Sequence, residues 1–370
     1  MIATILQKLD AGERLNSAEG LYLLRDADLL EVGALANEVR YRRHPEPLVT
    51  YVLDTNLNYT NICNAYCTFC AFYRPHRGGN ADPTAYTHSI DAVMQSIGRA
   101  RDRGCTTVLM QGGINPYLPF DYYPDMVRAS LAAYPHVTPH FWSPPEIAGI
   151  AEVSNKTFTE VFEALWDAGQ RTLPGGGAEV LSDRVRNRIS PLKITADVWI
   201  GVVRAAHQVG FRGTATMMYG HVETDEDIVE HLDRIRDLQE EHHGFTAFVP
   251  WSFSPDNTPL GRELTGRRTG PNRYLRILAV GRLYLDNFEH IDASWFSEGK
   301  KAGQVALHFG ADDFGGTLLD ENVMQEAGHF LRADEEEVQM LIREAGFKPA
   351  LRNTLYEIQR VIPPPRKVTA

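Results

Sequence analysis

The sequence predicts an α/β protein built as a parallel (β/α) barrel of the TIM type, with eight units or a partial barrel of six. Strand and helix patterns alternate from about residue 50 to about residue 320, several predicted helices end at a glycine, and no linker interrupts the alternation. Eight such units take about 250 residues. We therefore expect an N-terminal helical segment over 1–47, the barrel over 48–320 and a C-terminal helical extension, packed on the barrel, over 321–370.

Hydrophobic periodicity places the individual elements. Residues 1–50 form short amphipathic helices, for which Ser17 and Asp28 are predicted N-caps. The predicted strands are 48–58, 106–110, 137–142, 171–173, 213–218, 245–251 and 291–295, with a weaker eighth near 304–309 or just after it. The predicted helices of the barrel and tail are 89–103, 122–134, 157–168, 195–209, 225–241, 274–288 and 335–346.

The composition is that of a globular protein with a sizeable core. Of the 370 residues, 43% are hydrophobic, and no stretch approaches the roughly 20 apolar residues that span a bilayer. The N-terminal residues are too few and too polar for an export signal, so we expect a cytoplasmic protein. A net charge of −11 argues against a nucleic acid or a membrane surface as partner.

Three of the four cysteines, Cys63, Cys67 and Cys70, lie in one C-x3-C-x2-C motif. Iron–sulfur clusters are normally held by four thiolates, so three would leave one iron of a 4Fe–4S cluster open to a small molecule. A disulfide framework would need a small, cysteine-rich secreted chain. A structural zinc site would need a fourth ligand, such as His76 or Cys105. We favour the cluster and interpret Cys105 as a buried core residue.

The other unusual motifs also follow predicted strands, where the active sites of parallel barrels lie. Gly112 and Gly113 would let the main chain approach a ligand closely, unless they form an ordinary βα turn. Glu179 could accept hydrogen bonds from a ribose or could simply be an acid at a helix N-terminus. Phe69 and Phe72 flank the third cysteine and could shield a cluster and stack on an adenine, or pack within the loop.

The segment 58–73, which contains the cysteine motif with an aromatic residue before the third cysteine, resembles the radical S-adenosylmethionine (SAM) enzymes. In that superfamily the three cysteines hold a 4Fe–4S cluster, and SAM chelates the open iron through its amino and carboxylate groups. One electron then splits SAM into methionine and a 5′-deoxyadenosyl radical. Gln111-Gly112-Gly113 occupies the position of the family's glycine motif, but Ile114 replaces the usual acid.

Longer strings within the chain resemble the cyclic dehypoxanthine futalosine synthase family of this superfamily. They are the segments 111–123, 174–179, 217–224, 245–251 and 309–317, and the resemblance covers most of residues 50–330. The segment 293–299 departs from that family, in which a Val-Thr-Gln run is expected after the tryptophan. The sibling aminofutalosine synthase and deazaflavin (FO) synthase families are the alternatives, and a non-catalytic iron–sulfur or zinc protein is the alternative of another class.

The resemblance implies a step of the futalosine route to menaquinone with dehypoxanthine futalosine as substrate. A hydrogen is removed from C4′ of the ribose, the carbon radical attacks the benzoate ring, and a proton and an electron then leave. A reducing electron donor of the flavodoxin or ferredoxin type is also implied. The protein must hold the reactants together and place a base near the ring proton. We expect His221 to be that base, followed by Glu146 or Asp313, and Ser143 to contact SAM.

Overall fold

The structure is a computed structural model that describes residues 1–77 and 80–364. Residues 365–370 of the predicted extension lie outside the described part, as does the side chain of His76, the alternative zinc ligand. The strands are β1 (Leu48–Val52), β2 (Asp54–Leu57), β3 (His76–Arg77), β4 (Asn80–Ala81), β5 (Thr107–Met110), β6 (Thr138–Phe141), β7 (Thr172–Leu173), β8 (Arg212–Tyr219), β9 (Phe245–Ser252), β10 (His290–Ile291), β11 (Asp313–Gly316), β12 (Lys348–Arg352) and β13 (Ile358–Val361).

Helices cover the outside of the strands and form the N-terminal segment. They are α1 (Ile2–Ala11), α2 (Ser17–Arg25), α3 (Leu29–Arg43), α4 (Ile90–Asp102), α5 (Tyr122–Ala133), α6 (Pro144–Ser154), α7 (Phe158–Ala168), α8 (Asp183–Ile189), α9 (Ala196–Val209), α10 (Asp225–His242), α11 (Pro259–Glu263), α12 (Pro271–Tyr284), α13 (Trp295–Glu298), α14 (Lys300–Ala306), α15 (Val323–Glu326) and α16 (Glu335–Glu344). The predicted glycine ends are confirmed for α7 and α9, because Gly169 (φ 111°) and Gly210 (φ 112°) adopt the left-handed conformation that glycine tolerates best. Among the described residues, no helix has both the length and the apolar character that a membrane span requires.

The strands follow the chain around the barrel. β2, β5 and β6 form one parallel ladder, β7 to β10 form a second, and β11 pairs in parallel with β1, which β2 continues. Side chains join β6 to β7, where Gln170 Nε2 donates to Phe141 O at 2.9 Å. A parallel bridge between Asp292 and Asp313 joins β10 to β11. The predicted TIM-type fold is therefore confirmed, with strands at eight successive positions in the described part.

One strand prediction was wrong in detail. The seventh strand ends at Ile291 and does not reach Trp295, which begins α13 after Ser294 adopts a left-handed conformation (φ 42°). Short apolar runs do not distinguish a buried helix from a strand, which accounts for this error. Of the two positions predicted for the eighth strand, near 304–309 or just after it, the second is confirmed, because Gln304 belongs to α14 and the strand follows as β11.

The C-terminal extension contains the predicted helix as α16 and, beyond it, two strands that the sequence did not predict. β12 pairs in parallel with β1, from Leu48–Lys348 to Tyr51–Leu351, and antiparallel with β13. Among the described barrel strands, β12 pairs only with β1, whereas β2, which continues β1, pairs with β5 on that side. The tip of this β12–β13 hairpin therefore lies against the amino ends of the barrel strands, on the side opposite the cysteine loop.

Candidate active site

A cavity of about 250 Å³ lies inside the barrel. Side chains and glycines of nearly every barrel strand line it, including Asn56, Thr107, His140, Thr214, Thr216, Gly175 and Gly176. Barrels of this type usually fill their interior with bulky branched residues. The small and polar residues found here leave room for a ligand.

The cysteine loop follows β2, at the carboxyl ends of the strands. Hydrogen bonds to two distant segments hold its centre: Thr68 N donates to Ile189 O at 2.8 Å, and Leu260 N donates to Thr68 O at 2.8 Å. Asn64 N donates to Ile114 O at 3.2 Å, which ties the loop to the segment after β5. The loop is therefore held from several sides by the barrel.

All four cysteines are free thiols. Burial raises the pKa of Cys67 and of Cys70. The ammonium group of Lys193 opposes this effect at both thiols, as a positive charge beside a metal–thiolate group would. Cys105 is buried in the core, as predicted, at the amino end of β5. Because this four-residue strand rises about 13 Å, Cys105 is remote from the loop and does not complete a zinc site with it.

Gly112 and Gly113 bring the β5 loop against the cysteine loop. A Cβ at Gly113 would lie 2.0 Å from Ile62 O and 2.9 Å from Cys63 Cβ, and one at Gly112 would lie 2.8 Å from Thr60 O. No side chain fits at either position. Close packing of the two loops therefore accounts, at least in part, for the presence of glycine at both positions. Contact of these glycines with SAM remains a prediction.

Glu146 holds the loop after β5 in place through hydrogen bonds. Its Oε1 accepts hydrogen bonds from Gly112 N at 2.9 Å and Tyr59 Oη at 3.0 Å, and its Oε2 accepts from Ser143 N at 2.8 Å and Ser143 Oγ at 2.6 Å. Burial raises the pKa of Glu146 to about 7 despite these four bonds. Neither Glu146 nor Ser143 lines the cavity. The arrangement orients the Gly112 main chain and occupies the Ser143 hydroxyl.

Glu179 and Lys193 form a buried ion pair near the cysteine loop, with Lys193 Nζ 2.6 Å from Glu179 Oε1. Glu179 Oε2 is buried and has no hydrogen-bond partner among the described residues, so it is available to a ligand hydroxyl. Lys193 Nζ lies 5.4 Å from the centre of the half-buried Phe69 ring. Phe72 is buried in the loop, which agrees with packing within the loop as its role and not with stacking on an adenine.

His221 and Asp313 lie outside the cavity lining. His221 Nε2 contacts Met218 O at 2.9 Å, and Val222 N donates to His221 Nδ1 at 2.8 Å, so both ring nitrogens are engaged by the main chain. Both carboxylate oxygens of Asp313 accept hydrogen bonds from Arg352, at 2.6 and 2.8 Å. In this geometry His221 stabilises its loop, and Asp313, on β11, pairs with Arg352 on β12.

The cavity lining includes titratable residues that the sequence analysis did not select, among them Asp54, His140, Asp292, Arg352 and Tyr356. Burial lowers the pKa of His140 to about 3 and raises that of Asp54 to about 6. Asp54 and Asn56, two residues apart on β2, both line the cavity, so polar residues with period two inside an apolar strand were an available signal. No comparable signal pointed to Arg352 or Tyr356.

These residues fit a three-thiolate iron–sulfur cluster with a nucleoside beside it. The cysteine loop offers three thiols, Lys193 offers a buried positive charge, and Glu179 Oε2 offers a free acceptor near the loop. A family model described as the radical SAM superfamily matches residues 57–235, and one described as the CofH/MqnC C-terminal region matches residues 242–364. The chain belongs to the radical SAM superfamily, which binds a 4Fe–4S cluster and SAM.

Individual relatives show which members of the superfamily this chain is similar to. The chain is 41% identical over 358 residues to cyclic dehypoxanthine futalosine synthase of Halalkalibacterium halodurans, covering 96% of this chain and 94% of that one. It is 39% identical to 5-amino-6-(D-ribitylamino)uracil–L-tyrosine 4-hydroxyphenyl transferase of Methanopyrus kandleri, covering 95% and 94%. The crystal structure of methylornithine synthase (PylB) shares the fold, with a TM-score of 0.70, 17% identity and coverage of 94% and 97%.

Proposed function

We propose that this radical SAM enzyme cyclises dehypoxanthine futalosine to cyclic dehypoxanthine futalosine, in the futalosine route of menaquinone biosynthesis. The observation that carries the proposal is the cysteine loop at the carboxyl ends of the strands that surround the cavity, on a chain with 41% identity to a cyclase of that name. The sibling activities named among the relatives are the second candidate, because their identities are nearly as high.

Cys63, Cys67 and Cys70 hold the cluster in this proposal. When bound, the cluster and SAM supply a carbon radical that removes a hydrogen atom from the substrate. Glu179 Oε2 accepts a hydrogen bond from the SAM ribose, and the Gly112–Gly113 main chain, oriented by Glu146, lies against the methionine part. Phe69 covers the adenine side, while Phe72 and Ser143 support the loop.

The cavity residues then act on the substrate. The walls hold C4′ and the benzoate ring in contact and exclude water, which favours bond formation between them. Of the cavity side chains, His140 is assigned to accept the ring proton. His221 and Asp313, the earlier candidates, act as positioning residues. An external one-electron reductant is required, and a flavodoxin or ferredoxin is proposed for that role.

An anaerobic assay with reconstituted protein, SAM and dithionite tests the function. We expect dehypoxanthine futalosine to give the cyclised product, and 5′-deoxyadenosine to disappear in Cys67→Ala. Cys105→Ala, which changes a cysteine outside the loop, is the matched control and should retain 5′-deoxyadenosine formation. Product from an enolpyruvyl benzoate, or from L-tyrosine with 5-amino-6-(D-ribitylamino)uracil, in place of the cyclised nucleoside would assign a sibling activity.

A further inference from the structure

We propose that the tip of the β12–β13 hairpin is a carboxylate-binding subsite, in which Arg352 and Tyr356 receive the benzoate carboxylate of the substrate. The proposal rests on the proposed function and adds the residues that recognise the end of the substrate distant from SAM. It also gives the C-terminal extension a role in the reaction.

The hairpin tip forms the floor of the cavity. Thr354 Oγ1 lies 2.7 Å from Thr107 Oγ1, at the amino end of β5, and both residues line the cavity. Asn353 Oδ1 accepts hydrogen bonds from Leu355 N at 2.9 Å and Glu357 N at 3.0 Å. The turn is therefore held in one conformation by its own side chain, and its tip is anchored to the barrel.

Arg352 presents unused donors to the cavity. Its Nε and Nη2 donate to the two oxygens of Asp313 at 2.6 and 2.8 Å, and its Nη1 donates to Asn353 O at 3.1 Å. A guanidinium has five N–H groups, so two remain. The contact with Asp313 fixes the guanidinium plane, and a preoriented guanidinium matches the geometry of a carboxylate.

Tyr356 lies against the same guanidinium. Arg352 Cζ lies 3.7 Å from the Tyr356 ring centre, and the other face of the ring stacks on His290 with centres 4.3 Å apart. The Tyr356 hydroxyl has no hydrogen-bond partner in the part of the chain that the structure describes. Burial raises the pKa of Tyr356 well above its ordinary value, so the hydroxyl remains a donor. Its backbone has φ 65°, an unusual conformation for an aromatic residue and one found at functional sites.

The charges of the floor are compatible with an added carboxylate. The negative charge of Asp313 is compensated by Arg352. Burial, and then the charge of Asp313, raise the pKa of Asp292 well above its ordinary value, which favours the uncharged form of that cavity carboxyl. Glu321 also lines the cavity, and burial raises its pKa. Asp54, whose pKa burial raises to about 6, is a carboxyl of the cavity that ionises below neutral pH. Its charge also interacts favourably with Arg352.

The orientation of the substrate follows from the reaction. C4′ must lie near SAM, at the carboxyl ends of the strands, because its hydrogen is removed there. The benzoate ring must contact C4′, so the ring occupies the middle of the cavity and its carboxylate points toward the other end. The floor at Arg352 and Tyr356 is the surface that this carboxylate meets.

The test measures the KM for dehypoxanthine futalosine in two variants. Tyr356→Phe keeps the ring and removes the hydroxyl, whereas Arg352→Gln combined with Asp313→Asn removes the ion pair without leaving a buried charge unpaired. We expect KM to rise about tenfold or more in the double variant and less in Tyr356→Phe. The KM for SAM should be unchanged, and Tyr41→Phe on α3 should match the wild type.

A substrate analogue carrying a carboxamide gives a second readout. The wild type should bind the acid about tenfold more tightly than the amide, and this preference should shrink in both variants. Variants that cyclise the acid with wild-type KM, or a wild type that does not distinguish acid from amide, would overturn the subsite. A wild-type protein that makes no cyclised product would overturn the proposed function, and with it this proposal.

Discussion

His140 is a cavity residue with a ring nitrogen available to accept a proton. Its Nδ1 lies 2.9 Å from Thr172 Oγ1, and no partner of its Nε2 is found among the described residues. Because burial lowers the pKa to about 3, the ring is uncharged at neutral pH and can accept a proton, although it is a weaker base than an ordinary histidine. The position on β6 orients it into the barrel, whereas His221 lies in a loop whose main chain occupies both ring nitrogens.

Replacing His140 by glutamine should separate the two halves of the reaction. We expect 5′-deoxyadenosine formation to continue, because hydrogen removal from C4′ needs no base, while cyclised product falls by about 100-fold or more. The ratio of 5′-deoxyadenosine to product measures the effect. The exposed His136→Gln is the matched control. Equal loss of both products in His140→Gln would show that the residue is needed for binding or folding and not for proton removal.

At the scale of elements, the cysteine loop depends on the segment after β5. Its main chain is hydrogen-bonded to that segment, to the end of α8 and to the start of α11. The loop has no regular secondary structure of its own, so these contacts determine where the three thiols lie. Gly113, where the segment after β5 approaches the cysteine loop most closely, is the residue at which this dependence can be tested.

Gly113→Ala should reduce cluster binding. The added Cβ would overlap Ile62 O, so the cysteine loop must move away, and we expect iron and sulfide per chain to fall by at least about half. Gly201→Ala in α9 is the matched control, because nothing lies within 4 Å of the added Cβ. That change should leave the iron content unchanged and stabilise the helix by about 0.5–1 kcal/mol. Full iron content in Gly113→Ala would contradict the packing argument.

At the scale of the whole molecule, buried histidines make stability depend on pH. Burial lowers the pKa of His140 and His231 from 6.5 to about 3. At these two residues the unfolded chain therefore binds more protons than the folded one between these values, so their contribution to the free energy of unfolding falls as pH decreases from about 6.5 toward 3. At pH 5 each histidine should lower it by about 2 kcal/mol relative to pH 8.

His231→Gln should weaken this dependence. His231 Nδ1 accepts a hydrogen bond from Leu181 N at 3.0 Å, so the variant is expected to be less stable at pH 8 but to lose less stability on acidification. Urea unfolding under anaerobic conditions at several pH values measures both effects. The exposed His136→Gln should keep the wild-type slope, and an unchanged slope in His231→Gln would assign the acid sensitivity to other groups.

The β12–β13 hairpin could not be predicted from sequence periodicity. The preceding helix α16 has a strong apolar stripe and was predicted, but β12 and β13 are short, and every residue of β13 is exposed. Their position depends on pairing with β1, about 300 residues earlier in the chain, which no local pattern encodes. The limits proposed at 47/48 and 320/321 remain predictions.

The sequence by itself determined the barrel and the kind of cofactor site. Alternating periodicity and thiol spacing are local properties of the sequence, so they can be recognised without knowledge of the tertiary structure. Only the tertiary structure decided which polar side chains face the cavity. Glu146 and His221 follow strands as an active-site residue should, but packing turns their polar atoms toward neighbouring main chain, and Asp313, at the start of β11, is paired with Arg352. His140, Arg352 and Tyr356 reach the cavity because long-range strand pairing brings them there, and that pairing is a property of the folded chain.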